Sequence, residues 1–216
     1  MIRRVLLYKA AVLIVILICA APGLARAELE ESARAFVRDL AKTAVQSLAV
    51  KDISRDERIK RFREMFRTNF MVKSIGKAAL GSITRGQSWK AADEAKQATY
   101  FQVFEDYVVN SYVDLFARYA GEQLQVTDVR TENAQILTVF SKVQRPGGVK
   151  PIRIHWLLAT NGKIFKVLDI FAEGPSMSKT FAVNFRTIYG NEGRSLDGLI
   201  GGIRKEIAKL SSEPAK

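Results

Sequence analysis

The side chains able to do chemistry in this sequence are few and far apart. A catalytic centre needs a base, a nucleophile or a bound metal gathered in one place. His155 is the single histidine, and on a strand it shares its face with Arg153. No Gly-x-Ser-x-Gly turn exists to present a nucleophile to it, so it reads as a surface or packing residue. One Cys and one His cannot furnish a zinc site of the usual nitrogen and sulfur kind. Asp93-Glu94 and Glu105-Asp106 are adjacent on a helix, where neighbouring side chains diverge and do not share a proton. Gly198 to Gly202 lies inside a helical pattern with no strand before it, which suits close helix packing and not nucleotide binding. Asp169, at a strand end, is the carboxylate whose burial matters most, and it is expected to serve as a turn or cap ligand. No enzyme, metal or cofactor is expected; the catalytic alternative is a small cone-shaped isomerase pairing Asp169 with a tyrosine.

Large apolar side chains, by contrast, are abundant. Phe101, Phe104, Tyr107, Tyr112, Phe116 and Tyr119 fall on one stretch, and Trp156, Phe165 and Phe171 on another. Most must fill a core. Helices laid against a curved sheet also leave room for an interior apolar hollow, the usual form of a small-molecule site.

The elements that position these residues follow from periodicity. Phe36, Val37, Leu40, Ala44 and Leu48 make one helical stripe; Ser54 and Glu57 open a second helix as a capping box, with Ile59, Phe62, Met65 and Phe66 on one side. Its other side carries Arg55, Arg58, Lys60, Arg61, Arg63 and Arg67, read as a solvated face, or alternatively as a patch for acidic partners. A short helix over 70–80 stops at Gly81, and 82–88 is a loop. A long helix over 91–120 follows, bent near Asn110-Ser111. The period then changes to two, predicting strands over 124–129, 135–143, 150–160 and 164–171 with hairpin turns at Pro146-Gly147-Gly148 and Asn161-Gly162. Two helices, capped by Ser176 and Ser195, complete an α+β fold: N-terminal helices and a long helix on a four-stranded antiparallel meander, with an internal apolar cavity. Residues 211–216 are expected to be a flexible tail.

The first 27 residues read as an address. Arg3 and Arg4, an apolar run to Ala21 and the small-residue ending Ala25-Arg26-Ala27 mark a secretory signal cleaved after Ala27, with an uncleaved anchor as the alternative. Cys19 would leave with it. Cleavage removes four cations and no acid, taking the net charge from +12 to +8. The composition, 48% hydrophobic and 26% charged, excludes a disordered or multi-spanning chain. For an exported basic protein, nucleic acid is not expected as a partner; phosphate-bearing lipid surfaces or acidic proteins fit better.

Several of these residues, in order, resemble the MlaC-type periplasmic phospholipid-binding proteins, also called the toluene-tolerance auxiliary family. The matching pieces are Leu80-Gly81, Trp89-Lys90, Tyr100-Phe101 with Phe104, Tyr107 and Tyr112, the segment DIFAEGPSMS from Asp169 to Ser178, and the closing helix to Leu210. The resemblance spans residues 28–210 as one lipid-binding domain. The 82–88 loop is longer than usual, and Pro175 stands where an apolar residue is common; both are expected beside the mouth.

The resemblance implies a monomeric periplasmic carrier with phospholipid as cargo. Its partners would be an inner-membrane ABC transporter complex with its lipid-binding subunit and an outer-membrane lipoprotein, in the maintenance of outer-membrane lipid asymmetry. A related branch carries hopanoids or other polycyclic lipids. The cavity lining it implies here is Phe70, Ile75, Leu80, Phe101, Phe104, Val108, Tyr112, Leu115, Leu137, Val139, Ile154, Trp156, Leu168, Ile170, Met177 and Phe181. The head group is expected near the surface, beside Lys or Arg and the amides that begin the Ser176 helix.

Overall fold

A computed structural model describes residues 22–212. Most of the segment read as a signal, residues 1–21 with Cys19, and the end of the tail, 213–216, lie outside the described residues. Seven α-helices and one sheet are described: α1 (Pro22–Leu48), α2 (Arg55–Asn69), α3 (Val72–Leu80), α4 (Gln87–Lys90), α5 (Glu94–Ala117), β1 (Gln123–Asn133), β2 (Ile136–Gln144), β3 (Ile152–Thr160), β4 (Phe165–Ala172), α6 (Met177–Asn191) and α7 (Leu196–Ser212). The sheet is a β1-β2-β3-β4 antiparallel meander, as the hairpin signals require. No described helix is long and apolar enough to cross a membrane.

The helix boundaries follow from local chemistry. Ser54 Oγ accepts the Glu57 amide at 3.1 Å, but the reciprocal half of the capping box is not made; Glu57 pairs with Arg61 instead. Ser176 and Ser195 cap α6 and α7 by accepting the amides of Lys179 and Gly198. Gly81 ends α3 at φ 54°. The expected long helix is present but starts at Glu94, where Asp93 accepts the Lys96 amide, and a separate short turn, α4, precedes it at the end of the stretch read as loop. That turn packs Trp89 edge-on against Tyr100 and Phe101. At Asn110-Ser111 α5 runs on as one helix, with both side chains bonded back to the carbonyls of Asp106 and Tyr107.

The cationic side of α2 is only in part a solvated face: Lys60 and Arg67 are exposed, while the other cations are half-buried or buried. Arg55 bonds Asp114 and Asn110 of α5, Arg63 reaches Glu105 and Asp106, and Arg67 reaches Glu105. Arg58 is buried and donates to the carbonyls of Leu48 and Val50, where α1 ends. These cations fasten α2 to α5 and α1. The helical pattern showed them as a stripe without showing that carboxylates and helix-end carbonyls would face it.

Two apolar clusters result. One joins α2, α3, α5, α6 and α7 around Phe66, Ile75, Tyr100, Phe104, Phe185 and Leu199. The other lies between α1 and the inner sheet face, with Ala33, Val37 and Leu40 over Val129, Leu137, Val139, Leu158 and Val167. Met65 and Phe70 pack against both. In α7, Gly202 and Gly198 give α6 its close approach: a Cβ at Gly202 would lie 2.3 Å from Ile188, and one at Gly198 1.9 Å from the Glu192 carbonyl.

Candidate functional site

Between the two clusters lies a cavity of about 470 Å³. Leu40, Ala41 and Ala44 of α1 form one wall, and Phe62, Met65 and Phe66 of α2, with Phe70 just beyond it, form the next. Val108, Tyr112, Leu115 and Phe116 of α5 stand beside them; Ile152, Ile154, Trp156, Ile170 and Ala172 come from the sheet, and Pro175, Met177 and Thr180 close the ring. Leu115 is 54% exposed, so the cavity reaches the surface at its rim. Among the described residues that line it there is no carboxylate, amine, guanidinium, imidazole or thiol.

Its polar atoms are arranged to be inert. The Trp156 indole N–H donates to Ser141 Oγ at 3.0 Å, and that hydroxyl donates to the Ile154 carbonyl. The indole is thereby held as a wall with its donor satisfied. Burial, helped by the neighbouring Tyr107, pushes the Tyr112 phenol above its ordinary range, so it stays neutral. Such a surface cannot hold water well and leaves dispersion contacts unmade until hydrocarbon fills it.

The sheet presents the right residues through a bulge. Trp156 pairs with Ile170 and Ile154 with Ala172, while Leu158 pairs with Val167. The shift between these pairs inserts Leu168 as the extra residue and reverses the parity of β4. Phe165 and Val167 therefore face the sheet core, and Ile170 and Ala172 face the cavity. A strict two-residue alternation cannot put Leu168 and Val167 in these places.

Of the expected lining, Phe70, Val108, Tyr112, Leu115, Ile154, Trp156, Ile170 and Met177 border the cavity. Ile75, Leu80, Phe104 and Phe181 are instead locked in the helical cluster, and Leu137 and Val139 lie under α1. Leu168 occupies the bulge, and Phe101 borders a separate groove outside Phe70, beside Arg67 and Lys73. The α1 and α2 walls, with Phe116, Ile152, Ala172, Pro175 and Thr180, were not expected in the lining. Their apolar spacing signals burial, but that signal is the same for a residue facing a core and one facing a hollow.

The segment from Asp169 to Ser178 builds the rim. Asp169 accepts the hydroxyls of Ser176 and Ser178 and the Ser178 amide, and is buried beneath the start of α6. The cap reading of this carboxylate therefore holds, and Asp169 stands outside the cavity lining, away from the place the isomerase alternative needs. The Ser178 and Lys179 amides are already taken by Asp169 and Ser176, so these helix-start donors are not open to a head group. Glu173 adopts φ 50° and accepts the Arg153 amide, while its own amide donates to the Arg153 carbonyl. Those bonds hold the Ala172–Pro175 turn against β3, and an acceptor role keeps the Glu173 carboxyl below the usual range. Pro175 does line the cavity; the 82–88 loop does not. His155 lies on the outer sheet face against Phe140, ring centres 4.6 Å apart.

Among solved structures, the chain is similar to a phospholipid-binding protein from Ralstonia solanacearum in complex with a phospholipid. The TM-score is 0.60 at 19% identity, over 81% of this chain and 98% of that one. The likeness supports the fold. The family model of the MlaC protein matches residues 36–205, from the middle of α1 into α7 and across every strand that shapes the cavity. On that match, the chain belongs to the MlaC family.

Proposed function

We propose that this protein is a periplasmic lipid carrier that encloses phospholipid acyl chain in the cavity between α1, α2, α5 and the sheet, and shuttles it between an inner-membrane transporter complex and an outer-membrane lipoprotein. The observation that carries the reading is an apolar hollow of about 470 Å³ that opens at the surface and whose described lining holds no carboxylate, amine, guanidinium or imidazole. Its size lies within the roughly 300–1,000 Å³ of ordinary ligand sites. Each methylene withdrawn from water is worth about 0.8 kcal/mol, so a phospholipid leaves a bilayer at a useful rate only when something shelters its tails. A dry wall of Phe, Ile, Leu and Met supplies that shelter without bond making. Family membership and the lipid bound to the Ralstonia protein support the same cargo class. Export through the N-terminal segment, with cleavage after Ala27, belongs to this proposal.

The test is native mass spectrometry of the purified chain, followed by lipid extraction. Co-purified phospholipid is expected in the wild type and in His155→Ala, whose side chain lies on the other sheet face. It is expected to be lost in Tyr112→Glu and Ile154→Glu, each shown folded by circular dichroism. Equal lipid in all four proteins, or none in the wild type, overturns the carrier; a polycyclic lipid in place of phospholipid overturns the cargo assignment.

A further inference from the structure

At the turn end of the β2–β3 hairpin, on the outer sheet face, Lys142, Lys150 and Arg153 line a hollow of about 260 Å³ with Pro151. Its lining residues include no carboxylate; Asp128 borders the adjoining hollow on the same face, which also touches Lys142 and Arg153. Lys142 and Arg153 are direct cross-strand partners. Like charges so opposed destabilise a sheet, so the arrangement costs folding free energy that a bound anion would offset. Glu173 offsets it weakly: its carboxylate lies 3.4 Å from the Arg153 guanidinium, and both side chains are largely in water. The hairpin end that carries Lys150 is held in place, because the Arg145 guanidinium donates twice to the Lys150 carbonyl, at 3.1 and 2.6 Å.

The position of this hollow relative to the cavity gives it meaning. Ile152, between Pro151 and Arg153 in the chain, lines the apolar cavity. Alternation along β3 sends Ile152 and Ile154 to the inner face and Arg153 to the outer one. The rim is therefore apolar on one side of a single strand end and cationic on the other. The Glu173 turn, whose Ala172 and Pro175 line the cavity, is bonded to Arg153 at the same rim.

We propose that Lys142, Lys150 and Arg153 bind the phosphate of the cargo's head group, while its tail lies in the cavity past Ile152. The proposal rests on the carrier reading. The phosphate monoanion or diester meets two ammonium groups and a guanidinium capable of two-pronged bonding. With the α6 amides taken by Asp169 and Ser176, this cluster supplies the positive charge at the mouth. Free inorganic phosphate has the same chemistry, and the experiment separates the two sources.

The experiment titrates lipid-free protein with dihexanoyl phosphatidylglycerol and with dihexanoyl glycerol, which lacks the phosphate, following the fluorescence of Trp156 in the cavity wall. The wild type is expected to bind the phosphatidylglycerol about tenfold more tightly, with the advantage shrinking as salt is raised. The double variant Lys142→Gln, Lys150→Gln is expected to bind both lipids alike, at the wild-type affinity for dihexanoyl glycerol, with its melting temperature unchanged or raised because a like-charge opposition has gone. Inorganic phosphate is expected to compete with phosphatidylglycerol only at millimolar concentration and not to displace dihexanoyl glycerol. Equal binding of the two lipids by the wild type, or equal weakening of both in the double variant, overturns the head-group site and leaves the carrier standing. Micromolar binding of inorganic phosphate alone assigns the cluster to a free anion and overturns it too. Failure to bind either lipid overturns the carrier and this site with it.

Discussion

Asp169 and Ser178 are joined twice: one carboxylate oxygen accepts the Ser178 amide at 3.2 Å and the other accepts its hydroxyl at 2.6 Å. Ser176 adds a third bond at 2.5 Å to the second oxygen. A carboxylate at the N-terminus of β4's following helix is favoured by the helix dipole, and here it also ties the end of the sheet to α6. The rim of the cavity thus depends on a buried carboxylate held by the start of α6.

For Asp169→Ala, loss of these charge-assisted bonds is expected to lower stability by about 2–3 kcal/mol. Urea unfolding should show a lower midpoint with little change in slope. An unchanged midpoint would show that α6 is held by its apolar face alone.

Arg58 supports the other side of the cavity. Its guanidinium, buried, donates to the Leu48 carbonyl at 2.7 Å and to the Val50 carbonyl at 3.0 Å. Arg58→Met keeps much of the packing but strands those acceptors, and is expected to cost about 2–3 kcal/mol. Hydrogen exchange should accelerate first in the last turn of α1, where the cation also complements the helix C-terminus. Exchange rising evenly over the chain would argue against a local tie.

Tyr100 gives the fold a sensitivity to alkali. Its hydroxyl donates to the Gly76 carbonyl at 2.8 Å, and burial raises the phenol well above its ordinary value of 10.0. Above that pH the unfolded chain releases this proton and the native one retains it, so the native state binds more protons and stability falls as pH rises. Below it the contribution is fully present. Tyr100→Phe is expected to lose about 1 kcal/mol at neutral pH and to flatten the decline above pH 10. Thermal unfolding from pH 7 to 11 reads both effects; parallel curves for the two proteins would remove Tyr100 as the cause.

The order of elements was legible because each has a local cause. Ser54, Ser176 and Ser195 are where caps were expected, Gly81 ends its helix, and Asn161-Gly162 turns β3 into β4. The short turn α4 was not expected, and the start of α5 lies at 94 and not 91, because Asp93 capping and the packing of Trp89 on Tyr100 decide both. Half of the expected cavity residues border a common hollow and half do not, for a plainer reason. Tyr112 and Phe104 share one helical register, yet Phe104 is enclosed by Phe181 and Phe185 while Tyr112, edge-on to Phe181, also borders the cavity.

What the sequence alone determined is the inventory and its local order: which segments coil and which pair as hairpins. Those follow from short-range sterics, capping and alternation, which act within a few residues. Tertiary structure alone decided where the apolar surface stays unfilled. The Leu168 bulge turns Ile170 inward, Leu40 and Ala44 of α1 border the gap without filling it, and Arg55 and Arg63 of α2 are drawn onto α5. A void is a relation among surfaces distant in the chain, and its position depends on how whole elements pack, which no single stretch of residues encodes.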